Sequence, residues 1–450
     1  MKALTFRMGG IHPADKKISA SCKIETLPLP ETMYVSMAQH LGAPATPVVA
    51  VGDKVKVGQV IAEPAGFISA FVHSPASGTV KAIAPRADLS GNMVNHIEIA
   101  VEGDEWMEDI DQSTTLVTAI PEDKAFILDR IKKNGVVGLG GATFPTHVKL
   151  APPPGKKAEC VILNGAECEP FLTSDNRIMI ERTSEIIMGA AIISKALDNC
   201  PVVIGVEENK PEAIMKLSSV LDTLKKTVPA CQNIKIEVLK KKYPQGGEKQ
   251  LIDAVMRRQV KSGGLPIDVG AVVQNVATAL AVYEAVQKNR PLITNVLTVT
   301  GDCLPVQHNY LFRIGMPLSY IAEYAGGVPA QAAKMISGGP MMGKAISNLD
   351  AATVKGSSSI LYLTEEQTKR PQETACIRCG RCADACPMGL EPYLLFKLAK
   401  VKDMEQLEAN SVHDCIECGC CLYGCPAGVP LLDLIRPAKG DVIRIIRSRK

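Results

Sequence analysis

The chain runs to 450 residues, 46% of them hydrophobic, with a net charge of +3; that is room for about three domains with filled cores and no global attraction for nucleic acid. The opening stretch MKALTFRMGGIHPADKK lacks the continuous apolar core of a secretory signal, and no stretch nears the ~18 uninterrupted apolar residues of a membrane span. Fifteen cysteines in such a chain are expected in a reducing cytoplasm rather than in a disulfide scaffold.

Residues 1–122 form the first expected unit. Pro47 to Ala62 (PVVAVGDKVKVGQVIA), then HSPASGTVKAIAP and MVNHIEIAVEG, alternate apolar and polar residues and break at Gly, Pro or Asp. That period predicts short strands in a small barrel or sandwich. The stretch resembles the barrel-sandwich hybrid of biotinyl and lipoyl carriers. The Ser69–His73 region, where a carrier holds its modified lysine, has no Lys, so an unmodified scaffold is expected. His12, His40, His73 and His96 are unclustered.

From residue 123 to 288 strand and helix patterns alternate, which predicts an α/β domain with a largely parallel sheet. A short helix is expected over Ile127–Lys133, and strands over Ala158–Leu163, Val202–Val206 and Ile234–Val238. Helices are expected over Glu212–Lys226 and from the stretch Val273–Thr278 to about Gln287. Between them lies Gly138-Leu-Gly140-Gly141-Ala-Thr-Phe-Pro-Thr-His-Val-Lys149, a loop whose glycines let backbone N–H groups approach an anion that the lysine can neutralise. Asn164-Gly-Ala-Glu167-Cys168-Glu169-Pro170 follows a strand, where α/β sheets place ligand contacts. Tyr243-Pro-Gln-Gly246-Gly247-Glu248 and Gln274-Asn275-Val-Ala-Thr278 follow later. Cys22, Cys160, Cys168, Cys200, Cys231 and Cys303 show no ligand spacing. The apolar run Ile186–Ile193 reads as core.

Residues 289–355 read as an α+β module with a strand near Leu292–Gly301, a short helix after Gly315 and a Gly-rich loop at Gly338–Gly343. Met341 and Met342 in that loop are expected to fill core. Residues 365–435 contain Cys376-Ile-Arg-Cys379-Gly-Arg-Cys382-Ala-Asp-Ala-Cys386-Pro387 and Cys415-Ile-Glu-Cys418-Gly-Cys-Cys421-Leu-Tyr-Gly-Cys425-Pro426. Both read C-x2-C-x2-C-x3-C-P, the spacing of paired [4Fe–4S] cubanes in which the fourth cysteine serves the other cluster. Cys376, Cys379, Cys382 and Cys425 are therefore expected on one cluster, and Cys415, Cys418, Cys421 and Cys386 on the other. Cys420 is out of register. The helix pattern starting at Pro392 predicts a helical ferredoxin-type domain. A basic amphipathic tail at 436–450 would suit an anionic membrane face or a partner subunit.

Taken together, the motifs are similar to two families. Gly138–Lys149, Asn164–Pro170, Tyr243–Glu248 and Gln274–Thr278 resemble, in order and gap, the flavin and NADH motifs of the complex I flavoprotein subunit. With Gly9-Gly-Ile-His-Pro13 and the doubled cysteine motif, the whole chain resembles the C subunits of Rnf-type ion-translocating oxidoreductase complexes. The resemblance implies FMN held by Gly138, Gly140, Gly141, Lys149, Asn164, Asn275 and Thr278, with Glu167, Glu169 and Glu248 lining the flavin and nicotinamide side. It also implies a β-grasp ligand-binding-like module over 289–355 and two [4Fe–4S] clusters. The implied role is a peripheral subunit at the cytoplasmic face of the plasma membrane. There it would exchange electrons with NAD(H), with partner subunits and, through the complex, with ferredoxin. Leu139, Ala166 and Gly247 stand where the flavoprotein family has Arg, Asp and Glu, which alters the expected contacts to NADH. A microcompartment corrinoid reductase shares the flavin-plus-ferredoxin arrangement, and a flavin-free electron wire would need the cysteine motifs alone.

Overall fold

The computed structural model describes residues 3–449. At its centre four parallel strands lie in the order Ile234–Leu239, Val202–Glu207, Cys160–Gly165, Ala271–Asn275. Val202–Glu207 is buried along its whole length, as a parallel strand covered on both faces must be. Helices Lys124–Lys133, Thr183–Ala196, Pro211–Thr227, Glu248–Met256 and Val276–Lys288 flank the sheet. Asp123 and Asn275 cap two of them by accepting from Ala125 N at 2.8 Å and Ala277 N at 2.7 Å, each satisfying an otherwise orphaned donor. The run Ile186–Ile193 is buried throughout, as expected. It crosses helix Val276–Lys288 so closely that a Cβ on Gly189 would sit 1.9 Å from the Ala279 carbonyl oxygen.

Two β units flank this domain. The barrel-sandwich hybrid sets Thr32–Ser36, Met93–Gly103, Ser77–Ala87 and Lys54–Val55 in one sheet. The second sheet is Thr46–Pro47, Val60–Glu63 and Val72–His73. The third module is a six-stranded mixed sheet ordered Ile24–Thr26, His308–Arg313, Thr294–Thr300, Ser359–Thr364, Ala332–Ser337, Lys344–Ala345, with helix Leu318–Tyr324 following its second strand in sequence. Its members reach beyond the expected 289–355 in both directions. Ser359–Thr364 is a central strand, and Ile24–Thr26 comes from the N-terminal region.

Residues 3–30 therefore add no strand to the barrel's two sheets. Leu4 bridges to Leu239 and Ile11 to Tyr243 at the edge of the parallel sheet, and Arg7 Nε donates to Asp253 Oδ1 at 2.9 Å. One apolar core runs from the barrel through the α/β domain into the third module. The cysteine region is helical, with Pro392–Val401, Met404–Ala409 and Leu431–Ser448 packed together. Leu431–Ser448 crosses the expected boundary at 435: Ile435, Ala438 and Val442 are buried on one face, so most of the basic tail is part of the cluster domain. Lys450, the last tail residue, lies outside the described residues. Among the described residues no helix is long and apolar enough to cross a membrane.

Candidate functional site

The glycine loop is a hairpin-like turn. Val137 bridges to Pro145 and Gly138 N donates to Phe144 O at 2.9 Å. The fully buried Thr278 holds it from below, its Oγ1 accepting from Leu139 N at 2.8 Å. Gly140 lies over Asn275, so that a methyl group on it would sit 3.4 Å from the Asn275 Cβ. A methyl group on Gly141, at φ +111°, would meet no heavy atom within 4 Å. The loop is thus backed by Asn275 and Thr278 and open above. At its far end Lys149 Nζ pairs with Glu248 Oε1 at 2.7 Å, both partly exposed. Asn164 Nδ2 donates to Gly246 O at 2.9 Å, joining the end of its strand to the turn that precedes Glu248.

The segment 166–172 is held by two lysines that sequence reading did not single out. Lys17 Nζ donates to the carbonyls of Glu167, Glu169 and Leu172 at 2.8, 2.8 and 2.6 Å. Lys210 Nζ donates to Ala166 O at 2.6 Å. Burial lowers Lys17 to about 8, with Lys210 adding to the effect. No local pattern marks either residue, because their partners lie about 150 and 44 positions away. Glu167, at φ +46°, accepts from Asp175 N at 2.7 Å and Asn176 N at 3.3 Å, capping the following helix with negative charge. Burial raises Glu167, and burial together with Glu167 raises Asp175 to about 7. Asp175 Oδ2 accepts from Asn275 Nδ2 at 2.8 Å, so this acid pair stands directly behind the glycine loop.

Glu169 points elsewhere. It accepts from Met341 N at 3.1 Å and Met342 N at 2.9 Å, tying the third module's Gly-rich loop to the α/β domain. Tyr243 Oη lies 2.9 Å from Cys418 O and 3.4 Å from Glu169 Oε1, and its single proton goes to the nearer acceptor. Met341 packs with Tyr243, Ala385, Cys418 and Cys420, while Met342 is exposed and fills no core, contrary to expectation. The structure therefore gathers Gly138, Gly140, Gly141, Asn275 and Thr278 at one place, Lys149 with Glu248 at its rim and Asn164 beside them. Glu167 is a brace behind that group, and Glu169 a brace toward the cysteines.

Cys386, Cys415, Cys418 and Cys421 ring one cavity, which holds about 370 Å³ free of protein atoms, part of it open to solvent. Leu390, Leu395, Leu432 and Ile435 line it as well. Among the described residues no three acidic, His or Cys side chains close on a point as around a single ion; these four thiols surround a volume instead. Burial pushes Cys415 up to about 11 and Cys421 up to about 12, so thiolates there need the positive iron of a cluster to persist. Burial raises Cys382, and Cys425 lies close enough to add to that effect. Cys376 and Cys379 are exposed. The fully buried Cys420 lines the same cavity.

These residues fit the groups their motifs imply. Gln245 is fully buried with neither amide atom partnered, and Gln274 is buried with its Nε2 unpartnered. They directly precede Gly246 and Asn275 in the chain, so two of the segments named for the flavin each carry buried polar atoms that lack a partner, as a site for a polar cofactor would. Nothing in the sequence gives Gln245 a role, since its burial inside a turn is invisible to local pattern.

The chain matches the Nuo51 FMN-binding domain over residues 131–284 and the RnfC barrel sandwich hybrid domain over 4–105. It also matches the SLBB domain over 296–345 and the 4Fe-4S dicluster domain over 375–429. It is 45% identical over 406 residues to the C subunit of the proton-translocating ferredoxin:NAD(+) oxidoreductase complex of Clostridium ljungdahlii, covering 89% of this chain and 86% of that one. Identity is 41% over 445 residues to the C subunit of the Na(+)-translocating ferredoxin:NAD(+) oxidoreductase complex of Acetobacterium woodii, covering 98% and 97%. A crystal structure of an NAD+-reducing [NiFe]-hydrogenase shares the fold at TM-score 0.50 and 19% identity, over 73% of this chain and 65% of that chain.

Proposed function

Because the chain belongs to the C-subunit family of ion-translocating ferredoxin:NAD+ oxidoreductase (Rnf) complexes, we propose that it passes electrons between NAD(H), FMN and two [4Fe–4S] clusters, and onward to other subunits and ferredoxin. FMN, when bound, converts between a hydride at nicotinamide and single electrons at the cubanes. The chain's own residues bind and orient. The amides of Gly140 and Gly141 and the Lys149 ammonium take the flavin phosphate, and Asn164, Asn275 and Thr278 fix the loop and the ring side. Lys149 and Glu248 form the polar rim facing the nucleotide. Glu167 and Glu169 act as positioning residues, the first for the loop and the second for the path to the cysteines. We assign ion movement to partner subunits and this chain to the cytoplasmic membrane face, a reading supported by the absence, among the described residues, of a helix suited to crossing the bilayer.

One observation carries the reading: a glycine loop backed by Asn275 and Thr278, and a cavity lined by Cys386, Cys415, Cys418 and Cys421, are joined within one chain through Tyr243–Gln250. Replacing the rim pair, Lys149→Ala with Glu248→Gln, should lower NADH oxidation with an artificial acceptor at least ~100-fold, the scale of lost positioning, while cluster absorption stays unchanged. Undiminished oxidation would remove the flavin-site assignment.

A further inference from the structure

The two cysteine sets differ in what surrounds them. Polar contacts from the α/β domain fall on the set of Cys386, Cys415, Cys418 and Cys421. Tyr243 Oη donates to Cys418 O at 2.9 Å, and Gln250 Nε2 donates to Pro387 O at 3.2 Å. Lys249 Nζ lies 3.5 Å from Asp414 Oδ1. The N-terminal segment presses on the same place: Gly10 N donates to Ala385 O at 3.0 Å. A Cβ on Gly9, at φ +64°, would meet the Cys386 carbonyl at 2.4 Å. Gln250 stands two residues after Glu248, so the first turn of helix Glu248–Met256 touches the rim of the flavin loop through Glu248 and the residue next to the ligand Cys386 through Gln250.

The other set has no such cover. Cys376 and Cys379 lie in a stretch, residues 369–380, that is exposed at every position. It is fastened by Thr374 N donating to Ala427 O at 2.9 Å and by the Arg370–Asp433 ion pair. Ile377, between two ligands, is 66% exposed. Among the described residues neither Arg378 nor Arg381 forms an ion pair. Exposed thiol ligands beside a bare apolar side chain and free guanidinium groups suit a protein contact with an acidic rim.

We infer that the two clusters act in a fixed order. The one held by Cys386, Cys415, Cys418 and Cys421 exchanges electrons with the flavin. The one held by Cys376, Cys379, Cys382 and Cys425 is the port at which an acidic partner protein with a one-electron centre docks. This order rests on the function proposed above. Each NADH oxidised to NAD+ yields two electrons and one proton; the electrons cross both cysteine sets singly to the partner's centre, the acceptor, and the proton leaves to solvent. In the opposite direction NAD+ is the acceptor and the partner's centre the donor.

The test uses the full chain, purified anaerobically, as Cys379→Ala and Cys421→Ala variants. Each should retain about four irons, one cubane. After reduction with dithionite and its removal, freeze-quench electron paramagnetic resonance follows reoxidation by NAD+. Reoxidation in Cys421→Ala should be at least ~tenfold slower than in Cys379→Ala, a difference of about 1.4 kcal/mol in barrier. Equal rates, or the reverse order, overturn the inference. Should Cys421→Ala lose both clusters, the unmodified protein decides. Limited ferricyanide oxidation with a chelator, then alkylation and mass spectrometry, should label Cys376 and Cys379 first, with half the iron gone and the remaining cluster still reoxidised by NAD+. First labelling at Cys415 or Cys421 overturns it. A flavin that NADH fails to bleach in the unmodified protein would instead strike the proposed function itself.

Discussion

Thr278 does its work with one atom. Its Oγ1 is the acceptor for Leu139 N, and a buried hydrogen bond of this kind contributes about 1 kcal/mol net, more when its loss strands the donor. Thr278→Val keeps the shape and removes the acceptor, so flavin affinity should fall about tenfold, read by quenching of flavin fluorescence on titration. Asp175 supplies a pH signature. Its folded value, about 7, lies above the ordinary 3.8 because burial and the neighbouring Glu167 disfavour its charge. An acid raised on folding holds its proton longer in the native state, so its contribution to stability is complete below about pH 3.8 and is lost as pH climbs through about 7. Asp175→Asn should flatten the decline in urea midpoint between pH 4 and 7 relative to the unmodified chain. An equal decline in both proteins would mean that Asp175 does not carry it.

Helix Thr183–Ala196 shows what could be read from the chain and what could not. Its unbroken apolar run announces a buried helix, and it is one. The demand for Gly189, set by the Ala279 carbonyl, comes from a crossing that no local pattern reveals. Gly189→Ala should cost about 1–3 kcal/mol through overpacking, visible as a lower denaturation midpoint. The terminal helix makes the opposite point. Pro437 and Gly440 have poor helix propensity, and the expected boundary between cluster domain and tail falls at residue 435. The helix nevertheless continues from Leu431 to Ser448, since Ile435, Ala438 and Val442 keep one apolar face buried and Glu417 pairs with Arg436 and Lys439 at 2.9 Å. Packing overrode propensity there. The cysteine spacing and the glycine loop were legible because their chemistry is written in short intervals. Lys17, Lys210 and Gln245 were not, because their partners are distant in sequence or are burial itself.

Across the whole molecule the N-terminal segment is what joins the parts. Leu4 pairs with the edge of the parallel sheet and Ile11 with Tyr243 beyond it, Gly9 and Gly10 lie on the Cys386 turn, and Ile24–Thr26 completes the third sheet beside His308–Arg313. Pairings across more than 200 residues leave no periodic trace, so a sequence reading assigns these residues to the nearest recognisable unit, the barrel. Arg7 holds this segment by reaching the buried Asp253, and Arg7→Ala leaves that carboxylate without its cation. Iron should then be lost to a chelator several-fold faster than from the unmodified chain while the far-ultraviolet dichroism is preserved. Cofactor content after anaerobic purification measures directly whether one chain houses both a flavin and paired cubanes. One FMN and about eight irons per chain are expected. Iron at that level with no flavin released by acid would contradict that expectation.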